Sequence, residues 1–399
     1  MLSKKCSILT SRNCSKVLDG YNYNVNLINS LSEGKLTFDE EGLEELFKEA
    51  VANEIEFTTE YKKTNTYIIA VPTPYLKDSK KLDPQYVISA INSVLKVCEK
   101  GAVLIIESTI TPGTIDKYIR PEIEKRGHKI GEDIHLVHAP ERIIPGNLIY
   151  ELEHNSRTIG ADSYELGNKV KGLYSHFCKG EIVVTDIRSA EMSKVVENTY
   201  RDINIAFANE LAKICRSDNM DVYEIIKIAN KHPRVNILQP GPGVGGHCIS
   251  VDPWFLVGDY PGLTNLILTA RKINDSMPRH VLGRIRDIMR EHDIRDISKV
   301  GLYGLTYKDN VDDTRESPTL QLLERMDEHL AFGVKVFDPL VKTRIVDHQF
   351  MNFEDFINEI EILVIMAGHD HIKNNMEIIK DKLILDTKNV CTFDGVYKL

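Results

Sequence analysis

Short apolar runs alternate with longer amphipathic stretches over the first half of the chain. Buried strands are predicted at residues 66–74, 102–109, 134–142 and 181–186, because these runs are rich in β-branched residues. Helical stretches separate several of them, which is typical of βαβ units in a parallel sheet with helices on both faces. Ligands bind at the carboxyl ends of such strands. The candidate site residues there are Pro72, Thr73, Pro74, Ser108, Thr109, Pro140, Glu141 and Arg142.

A long amphipathic helix is predicted over residues 189–218, where apolar and polar positions separate onto two faces. The apolar face repeats at three- and four-residue spacing and contains Val196, Tyr200, Ile203, Phe207, Leu211 and Ile214. The other face contains Lys194, Asn198, Asp202 and Asn209. Such a helix is about 45 Å long, which is enough to connect two domains and to carry a dimer interface.

The alternation of strands and helices restarts after Pro278. Further strands are predicted at residues 299–306, 335–339, 361–369 and 383–389. The predicted fold class is therefore α/β, with two Rossmann-like doubly wound domains joined by a long central helix. The predicted domain boundaries are 1–188, 189–280 and 281–399.

Charge and composition narrow the classes of function. The chain has a formal net charge of -9 and no basic run, which argues against a nucleic-acid partner. No apolar run approaches the roughly 20 residues needed to cross a bilayer, and the first residues lack the apolar segment of a secretory signal. The seven cysteines are scattered, without a metal-ligand spacing. These features predict a cytoplasmic protein with reduced thiols, no metal site and no membrane association.

A glycine-rich segment, GPGVGGHCISVDPWF at residues 241–255, contains the candidate nucleophile Cys248. A reactive thiolate needs close access to a carbonyl carbon. Glycines such as Gly245 let the backbone approach the substrate and turn N–H groups toward an oxyanion. Asp252 follows four residues after Cys248, so a helical turn would place both side chains on one face. The alternative is a buried structural cysteine beside a tight loop.

Two further groups of polar residues are candidates for ligand contacts. Lys194 and Asn198 lie one turn apart on the predicted helix and could hold a carbonyl oxygen, although a solvated helix face has the same spacing. In residues 306–318, Lys308 and Arg315 could bind phosphates, although an ordinary charged connector is the alternative. Similar candidates for anionic ligands are Arg142 and Arg234.

Several ordered segments together resemble the UDP-sugar dehydrogenase family. They are AVPTP, ESTITPGT, HAPERIIPG, AEMSKVVENTYRDINIAFANELAKI, HPRVNILQPGPGVGGHCISVDPWF, GLTYKDNVDDTRESP, FDP and DTKN, within about residues 34–389. The resemblance implies an N-terminal Rossmann domain for NAD, a central dimerising and catalytic domain, and a C-terminal UDP-binding domain. It also implies an NAD-dependent homodimeric enzyme that oxidises the C6 alcohol of a UDP-sugar to a carboxylate in two steps, without a metal.

The resemblance implies a role for each candidate residue. Cys248 would form a thiohemiacetal and then a thioester with C6 of the sugar. Lys194 and Asn198 would stabilise the C6 oxygen, and Asp252 would assist proton transfer. Thr109 and Glu141 would place or activate water near the nicotinamide. The expected cofactor contacts are Thr73, Thr109, Glu141 and Arg315, and the expected substrate contacts are Arg142, Lys194, Asn198, Arg234, Gly245 and Lys308.

The residue before Asp252 separates the branches of the family. UDP-glucose enzymes typically carry lysine there, whereas this chain has Val251. Together with RVN, GPGVGGHC and VDPWF, this residue resembles the N-acetylhexosamine type. The expected substrate is therefore UDP-N-acetyl-D-mannosamine, oxidised to UDP-N-acetyl-D-mannosaminuronate for surface polysaccharide synthesis. UDP-N-acetylglucosamine and UDP-glucose are the alternatives.

The N-terminal residues depart from the family pattern. The family begins with a short strand and a G-x-G-x-x-G turn, followed about 20 residues later by an acid that holds the ribose. Here the acidic position falls at Asn22 and the glycine-rich turn at or before Met1. We therefore expect the first domain to lack its first strand and its glycine-rich turn, and to bind NAD weakly. Either the reading frame is truncated or shifted, or the chain is an inactive UDP-sugar-binding homologue.

Overall fold

The computed structural model describes residues 19–37, 42–143, 147–246, 248–328 and 331–399. The chain divides into two compact units, Met1–Val196 and Glu197–Leu399. Each unit has its own sheets and its own apolar core. The predicted α/β class is confirmed, because strands and helices alternate along both units.

The first unit contains strands and helices in alternation. Its described strands are β1 (Asp19–Tyr21), β2 (Glu56–Thr58), β3 (Thr66–Ile69), β4 (Ala102–Ile106), β5 (Ile134–His138), β6 (Arg157–Ala161) and β7 (Ile182–Thr185). Its described helices are α1 (Val25–Ser32), α2 (Leu43–Ala52), α3 (Gln85–Val94), α4 (Arg120–Lys125), α5 (Leu148–His154) and α6 (Tyr164–Tyr174), with a π-helical segment (Ile115–Ile119) before α4. The long helix α7 (Ile187–Ser217) begins in this unit and continues into the second.

The main sheet of the first unit has the strand order β3-β4-β5-β6-β7. β3, β4 and β5 are parallel neighbours, and every residue of β4 is buried, as expected for a central strand covered on both faces. β6 runs antiparallel to β5, so the prediction of a wholly parallel sheet is wrong at this step. The sequence prediction misses β6 because its segment, RTIGA, contains a single large aliphatic residue.

β1 and β2 form a separate two-stranded parallel sheet in which Asp19 pairs with Glu56. Within the described residues, no strand joins β1 to β3. The predicted loss of the first strand and the glycine-rich turn concerns residues 1–18, which lie outside the part of the chain that the structure describes. Asn22 directly follows β1, at the carboxyl end of that strand.

The second unit has a six-stranded sheet with the order β10-β9-β8-β11-β12-β13, and every strand pair is parallel. The strands are β8 (Val300–Tyr303), β9 (Lys335–Phe337), β10 (Gln349–Phe350), β11 (Ile362–Ile365), β12 (Leu383–Asp386) and β13 (Tyr397–Lys398). The described helices are α8 (Val222–Ala229), α9 (Asp252–Asp259), α10 (Asn265–Glu291), α11 (Pro318–Glu328), α12 (Phe353–Asn358), α13 (Asp370–Asn374) and α14 (Met376–Ile379). This order is that of a doubly wound dinucleotide-binding sheet, which confirms the second predicted domain type.

Helix α7 confirms the predicted long helix. However, its apolar face is largely exposed and its polar face is largely buried, which is the reverse of an ordinary surface helix. Tyr200 is 62% exposed and Ile214 is 51% exposed, although both belong to the apolar face. Lys194, Asn198 and Asp202 of the polar face are buried. Apolar residues of a helix normally face the core, so both faces need a separate explanation.

Candidate active site

Cys248 is exposed, and the chain makes a helical turn immediately after it. The N–H of Asp252 donates to the carbonyl oxygen of Cys248 at 2.8 Å, and the N–H of Val251 donates to the same oxygen at 3.1 Å. Asp252 then begins α9. The predicted one-turn relation between Cys248 and Asp252 is confirmed, and the alternative of a buried structural cysteine is wrong. The neighbouring His247 lies outside the described residues.

The carboxylate of Asp252 is fixed by a residue of α7. Nδ2 of Asn198 donates to Oδ2 of Asp252 at 2.6 Å, and both side chains are buried. A buried carboxylate without such partners is costly, so this bond holds the turn after Cys248 against the helix. The alternative that Lys194 and Asn198 lie on a solvated helix face is wrong, because both side chains are buried.

The glycines before Cys248 allow the loop to lie directly against the segment that follows β8. A Cβ atom at Gly245 would come within 2.6 Å of the Tyr307 Cβ and 2.5 Å of the Glu316 carbonyl oxygen. Gly246 has φ +84° and donates its N–H to the Arg315 carbonyl at 3.0 Å. Larger residues would therefore separate the Cys248 loop from residues 307–316. The predicted approach of Gly245 to substrate stays a prediction.

Two of the predicted phosphate-binding residues lie in that same segment. Nε of Arg315 donates to Oδ1 of Asp313 at 2.9 Å, and this bond raises the pKa of Arg315. Lys308 is partly exposed in the turn after β8. Burial raises the pKa of Tyr307, and the negative charge of Asp313 raises it further. Arg234 is exposed between α8 and the glycine-rich loop.

A buried polar network lies behind the glycine-rich loop, and the sequence analysis missed its α10 members. Nη1 of Arg271 donates to Oδ1 of Asp202 at 2.5 Å, and Nδ2 of Asn274 donates to the same oxygen at 2.8 Å. Asn209 then donates to Oδ1 of Asn274 at 2.9 Å and accepts the N–H of Gly241 at 2.9 Å. The network therefore connects α10 and α7 to the first residue of the loop.

Burial decides the electrostatics of this network. Burial raises the pKa of Asp202 to about 6, against the opposing effects of Arg271 and Asn274.

The polar spacing of Arg271 and Asn274 on the amphipathic helix α10 is a signal in the sequence. That spacing does not reveal a partner some 70 residues earlier in the chain, so only the structure identifies the pair.

In the first unit, three loops lie side by side at the carboxyl ends of β3, β4 and β5. The hydroxyl of Ser108 accepts the N–H of Val71 and donates to the Val71 carbonyl, both at 2.8 Å. These bonds tie the loop of Thr73 to the loop of Thr109. Thr73 is buried and Thr109 is half-buried. The prediction that these strand ends meet at one edge is confirmed.

The loop after β5 contains Glu141 and Arg142, and each has a protein partner in the first unit. Nη2 of Arg157 donates to Oε2 of Glu141 at 2.7 Å, and both side chains are buried. The other oxygen of Glu141 accepts the N–H of Arg142 at 2.6 Å. The Arg142 guanidinium donates to the carbonyl and the hydroxyl of Ser156, both at 3.0 Å. Arg157 was not a sequence candidate, because it lies on the unpredicted strand β6.

Glu191 of α7 also holds a loop of the first unit, and it is not among the candidates from the sequence. Its buried carboxylate accepts the N–H groups of Gly113 and Ile115, the latter at 3.0 Å. Burial raises the pKa of Glu191 to about 7, although both N–H bonds oppose the rise. This carboxylate therefore fixes two neighbouring parts of the chain to α7: the loop that contains Thr109 and the start of the π-helical segment.

The described residues offer a surface for a dinucleotide but no clustered metal ligands. No group of three or more His, Cys, Asp or Glu side chains in the described ranges is placed to share a metal ion. The same part of the chain contains no helix with the length and apolarity to span a membrane. The edge formed by the loops after β3, β4 and β5 is the candidate cofactor surface in the first unit.

The sequence matches three domains of the UDP-glucose/GDP-mannose dehydrogenase family. The NAD binding domain matches residues 7–178, the central domain residues 188–276 and the UDP binding domain residues 301–393. A Methanocaldococcus jannaschii protein named UDP-N-acetyl-D-mannosamine dehydrogenase is 41% identical, over 93% of this chain and 86% of that protein. A Ralstonia solanacearum protein named NDP-N-acetyl-D-galactosaminuronic acid dehydrogenase is 36% identical, over 96% of this chain and 92% of that protein.

Solved structures agree with the sequence matches. The UDP-N-acetyl-mannosamine dehydrogenase Cap5O from Staphylococcus aureus is 40% identical with a TM-score of 0.87, covering 100% of this chain and 95% of that chain. The UDP-D-ManNAc dehydrogenase from Pyrococcus horikoshii is 33% identical with a TM-score of 0.89 and the same coverage. The resemblance to the UDP-sugar dehydrogenases is thus confirmed. The chain belongs to the UDP-glucose/GDP-mannose dehydrogenase family and is an NAD-dependent nucleotide-sugar dehydrogenase.

Proposed function

We propose that this protein oxidises the C6 alcohol of UDP-N-acetyl-D-mannosamine to the carboxylate of UDP-N-acetyl-D-mannosaminuronate. The observation that carries the proposal is the exposed Cys248 on a turn whose Asp252 is bonded to Asn198 at 2.6 Å. The relatives named for this substrate, at 41% and 40% identity, support the choice of sugar.

The first unit fits the cofactor that the family uses. Its parallel strands β3, β4 and β5 end at one edge with buried or half-buried polar side chains, among them Thr73, Thr109 and Glu141. Such an edge is where dinucleotides bind in doubly wound sheets. Asn22, at the end of β1, offers an amide in place of the usual ribose-binding carboxylate. When bound, NAD⁺ supplies the hydride acceptor for both oxidations.

Cys248 carries the covalent part of the proposed reaction. After the alcohol has been oxidised to the aldehyde, the thiolate adds to C6 and gives a thiohemiacetal, whose oxygen Lys194 and Asn198 stabilise. Oxidation of that adduct leaves a thioester, and water hydrolyses it to release the carboxylate and the Cys248 thiol. Asp252 assists the proton transfers. In balance, one alcohol, one water and two NAD⁺ give one carboxylate, two NADH and three protons.

The remaining assignments stay predictions within this proposal. Thr109 and Glu141 place or activate the water, and Thr73 and Arg315 contact NAD. Arg142, Arg234, Gly245 and Lys308 contact the UDP-sugar. The proposed domain division is 1–188 for NAD, 189–280 for catalysis and dimerisation, and 281–399 for UDP.

We also propose a homodimer, since α7 exposes Tyr200, Phe207 and Ile214 as an apolar row. Exposed apolar rows of this kind mark association surfaces, and a second copy of the chain is the proposed partner. A cytoplasmic location and a role in surface polysaccharide synthesis rest on the sequence and the resemblance, and stay predictions.

The experiment is an NADH assay with three nucleotide sugars. UDP-N-acetyl-D-mannosamine should give two NADH per sugar, with lower kcat/KM for UDP-N-acetylglucosamine and UDP-glucose. Cys248→Ala should abolish formation of the uronate, whereas Cys178→Ala, at a buried cysteine of the first unit, should retain it. UDP-sugar binding without turnover at saturating NAD would favour the inactive homologue instead. Preference for a galacto-configured sugar would favour the activity named for the Ralstonia relative.

A further inference from the structure

A cavity lies in the second unit, where the C-terminal part of α7 faces α10. Its volume is about 400 Å³, and it is lined by Lys213, Arg216, Arg279, His280, Arg284 and Asp287, which we call the basic pocket. Four of these side chains are lysine or arginine, and one is a carboxylate. Because the whole chain has a net charge of -9, this local excess of positive charge runs against the overall composition.

Arg284 lies at the base of the basic pocket and lacks a strong protein counter-ion. Its side chain is 3% exposed, and its nearest carboxylate oxygen, in Asp287, is 3.8 Å away. Oδ1 of Asp287 also accepts a hydrogen bond from Nη2 of Arg290 at 2.5 Å, so Asp287 divides its negative charge between two arginines. Nη2 of Arg284 reaches the Lys398 carbonyl only at 3.4 Å, and the buried Nε has no hydrogen-bond acceptor among the described residues. A guanidinium in this position is expected to bind an anion.

The cations of the basic pocket also act on its histidine, His280. Burial, assisted by Lys213, Arg284 and Arg216, lowers the pKa of His280 to about 4, so its imidazole is neutral at pH 7. Its buried Nε2 has no hydrogen-bond partner in the described part of the chain. Burial also lowers the pKa of Lys213, whose Nζ donates to the Ser276 hydroxyl at 3.0 Å. The two buried nitrogen atoms without partners, Nε of Arg284 and Nε2 of His280, lie among several cations. This arrangement indicates a site for an anion.

We propose that the basic pocket is a binding site for the phosphate or diphosphate group of a small molecule. The planar guanidinium groups of Arg216, Arg279 and Arg284 offer paired N–H donors that match the oxygens of a phosphate. A volume of about 400 Å³ is within the usual range for small-molecule sites. None of the lining residues belongs to the proposed catalytic machinery, so this site is independent of the proposed sugar substrate.

Calorimetric titration with inorganic phosphate and with pyrophosphate tests the proposal. Saturating UDP and NAD⁺ are included, so that the nucleotide sites are filled and the remaining heat reports another site. The variant Arg216→Gln/Arg279→Gln removes two exposed cations of the pocket, which avoids disturbing the buried Arg284. The matched control, Lys272→Gln/Arg286→Gln, removes two exposed cations of α10 that do not line the pocket.

We expect at least one of the two oxyanions to bind the wild type, and the pocket variant to weaken that binding at least tenfold. The control should change it less than twofold. Bound oxyanion should also raise the pKa of His280, which NMR of the imidazole C–H signals measures. Absence of binding by both oxyanions, or equal weakening in the two double variants, would overturn the proposal. Phosphate binding with an unmoved His280 titration would likewise place the anion elsewhere.

Discussion

Helix α7 has two faces that differ in both chemistry and exposure. Glu191, Asn198 and Asp202 lie on the buried face, and each makes hydrogen bonds to a loop or to another helix. Tyr200 and Phe207 lie on the exposed face and are apolar. An ordinary surface helix has the reverse arrangement, with its apolar stripe on the core.

The buried face of α7 holds neighbouring loops and helices in place through its polar side chains. Buried polar groups are tolerated only where partners satisfy them. On α7 those partners belong to the loop that contains Thr109, to the turn after Cys248 and to helix α10. The exposed apolar face is the proposed surface for a second copy of the chain.

The largest effect on stability is expected from the buried ion pair. Among the described residues, Asp202→Ala leaves Arg271 with the partly exposed Asp275 as its counter-ion, so the free energy of unfolding should fall by about 3–5 kcal/mol. Urea denaturation measures the change. Glu210→Ala, at an exposed site of the same helix, should alter it by less than about 0.5 kcal/mol. Equal losses in both variants would show that the buried face has no special stabilising role.

Asn198→Ala should affect catalysis more than stability. The substitution removes the bond to Asp252 and a proposed donor to the C6 oxygen, so kcat should fall by about 10²–10³, or roughly 3–4 kcal/mol in barrier. Steady-state NADH formation measures this loss. Tyr200→Phe, half a turn away on the exposed face, should retain wild-type kcat. A fall in kcat of less than about threefold for Asn198→Ala would remove it from the proposed mechanism.

Glu191 predicts a pH dependence of stability. Burial raises the pKa of Glu191 from its ordinary value of 4.5 to about 7 in the folded protein, so the folded state binds an additional proton between these two pH values. Stability contributed by the protonated carboxyl is therefore lost as pH rises from about 4.5 to 7. Glu191→Gln cannot ionise, so its free energy of unfolding should rise relative to that of the wild type by about 3 kcal/mol over that window. Parallel pH profiles of the two unfolding free energies would contradict the assignment.

The smallest effect on the isolated chain is expected on the exposed face. Phe207→Ser/Ile214→Ser should change the unfolding free energy of the monomer by less than about 1 kcal/mol, because both side chains are half-exposed. The same double variant should shift the proposed homodimer toward monomer in sedimentation velocity at micromolar concentration. Glu224→Gln, on the exposed surface of α8, is the control that should leave the dimer intact. An unchanged dimer in the double variant would place the interface elsewhere.

The sequence pattern predicts where helices and strands lie more accurately than it predicts which residues they contact. The predicted helix at 189–218 is α7 (Ile187–Ser217), and the one-turn spacing of Cys248 and Asp252 exists in the structure. Which face of α7 is buried could not be predicted, because periodicity separates two faces without saying which one meets the core. Arg157 and Arg271 were missed because their partners Glu141 and Asp202 lie 16 and 69 residues away in the chain. Contacts over such separations depend on topology, and a single sequence does not show it.

The proposed mechanism requires an acyl intermediate between Cys248 and C6 of the sugar. Intact-mass spectrometry of Cys248→Ser, incubated with UDP-N-acetyl-D-mannosamine and NAD⁺, tests this claim directly, because an oxygen ester hydrolyses more slowly than a thioester. We expect a covalent UDP-sugar acyl adduct that peptide mapping places at residue 248. An unmodified Cys248→Ser protein that still forms the uronate at the wild-type rate would rule out this intermediate.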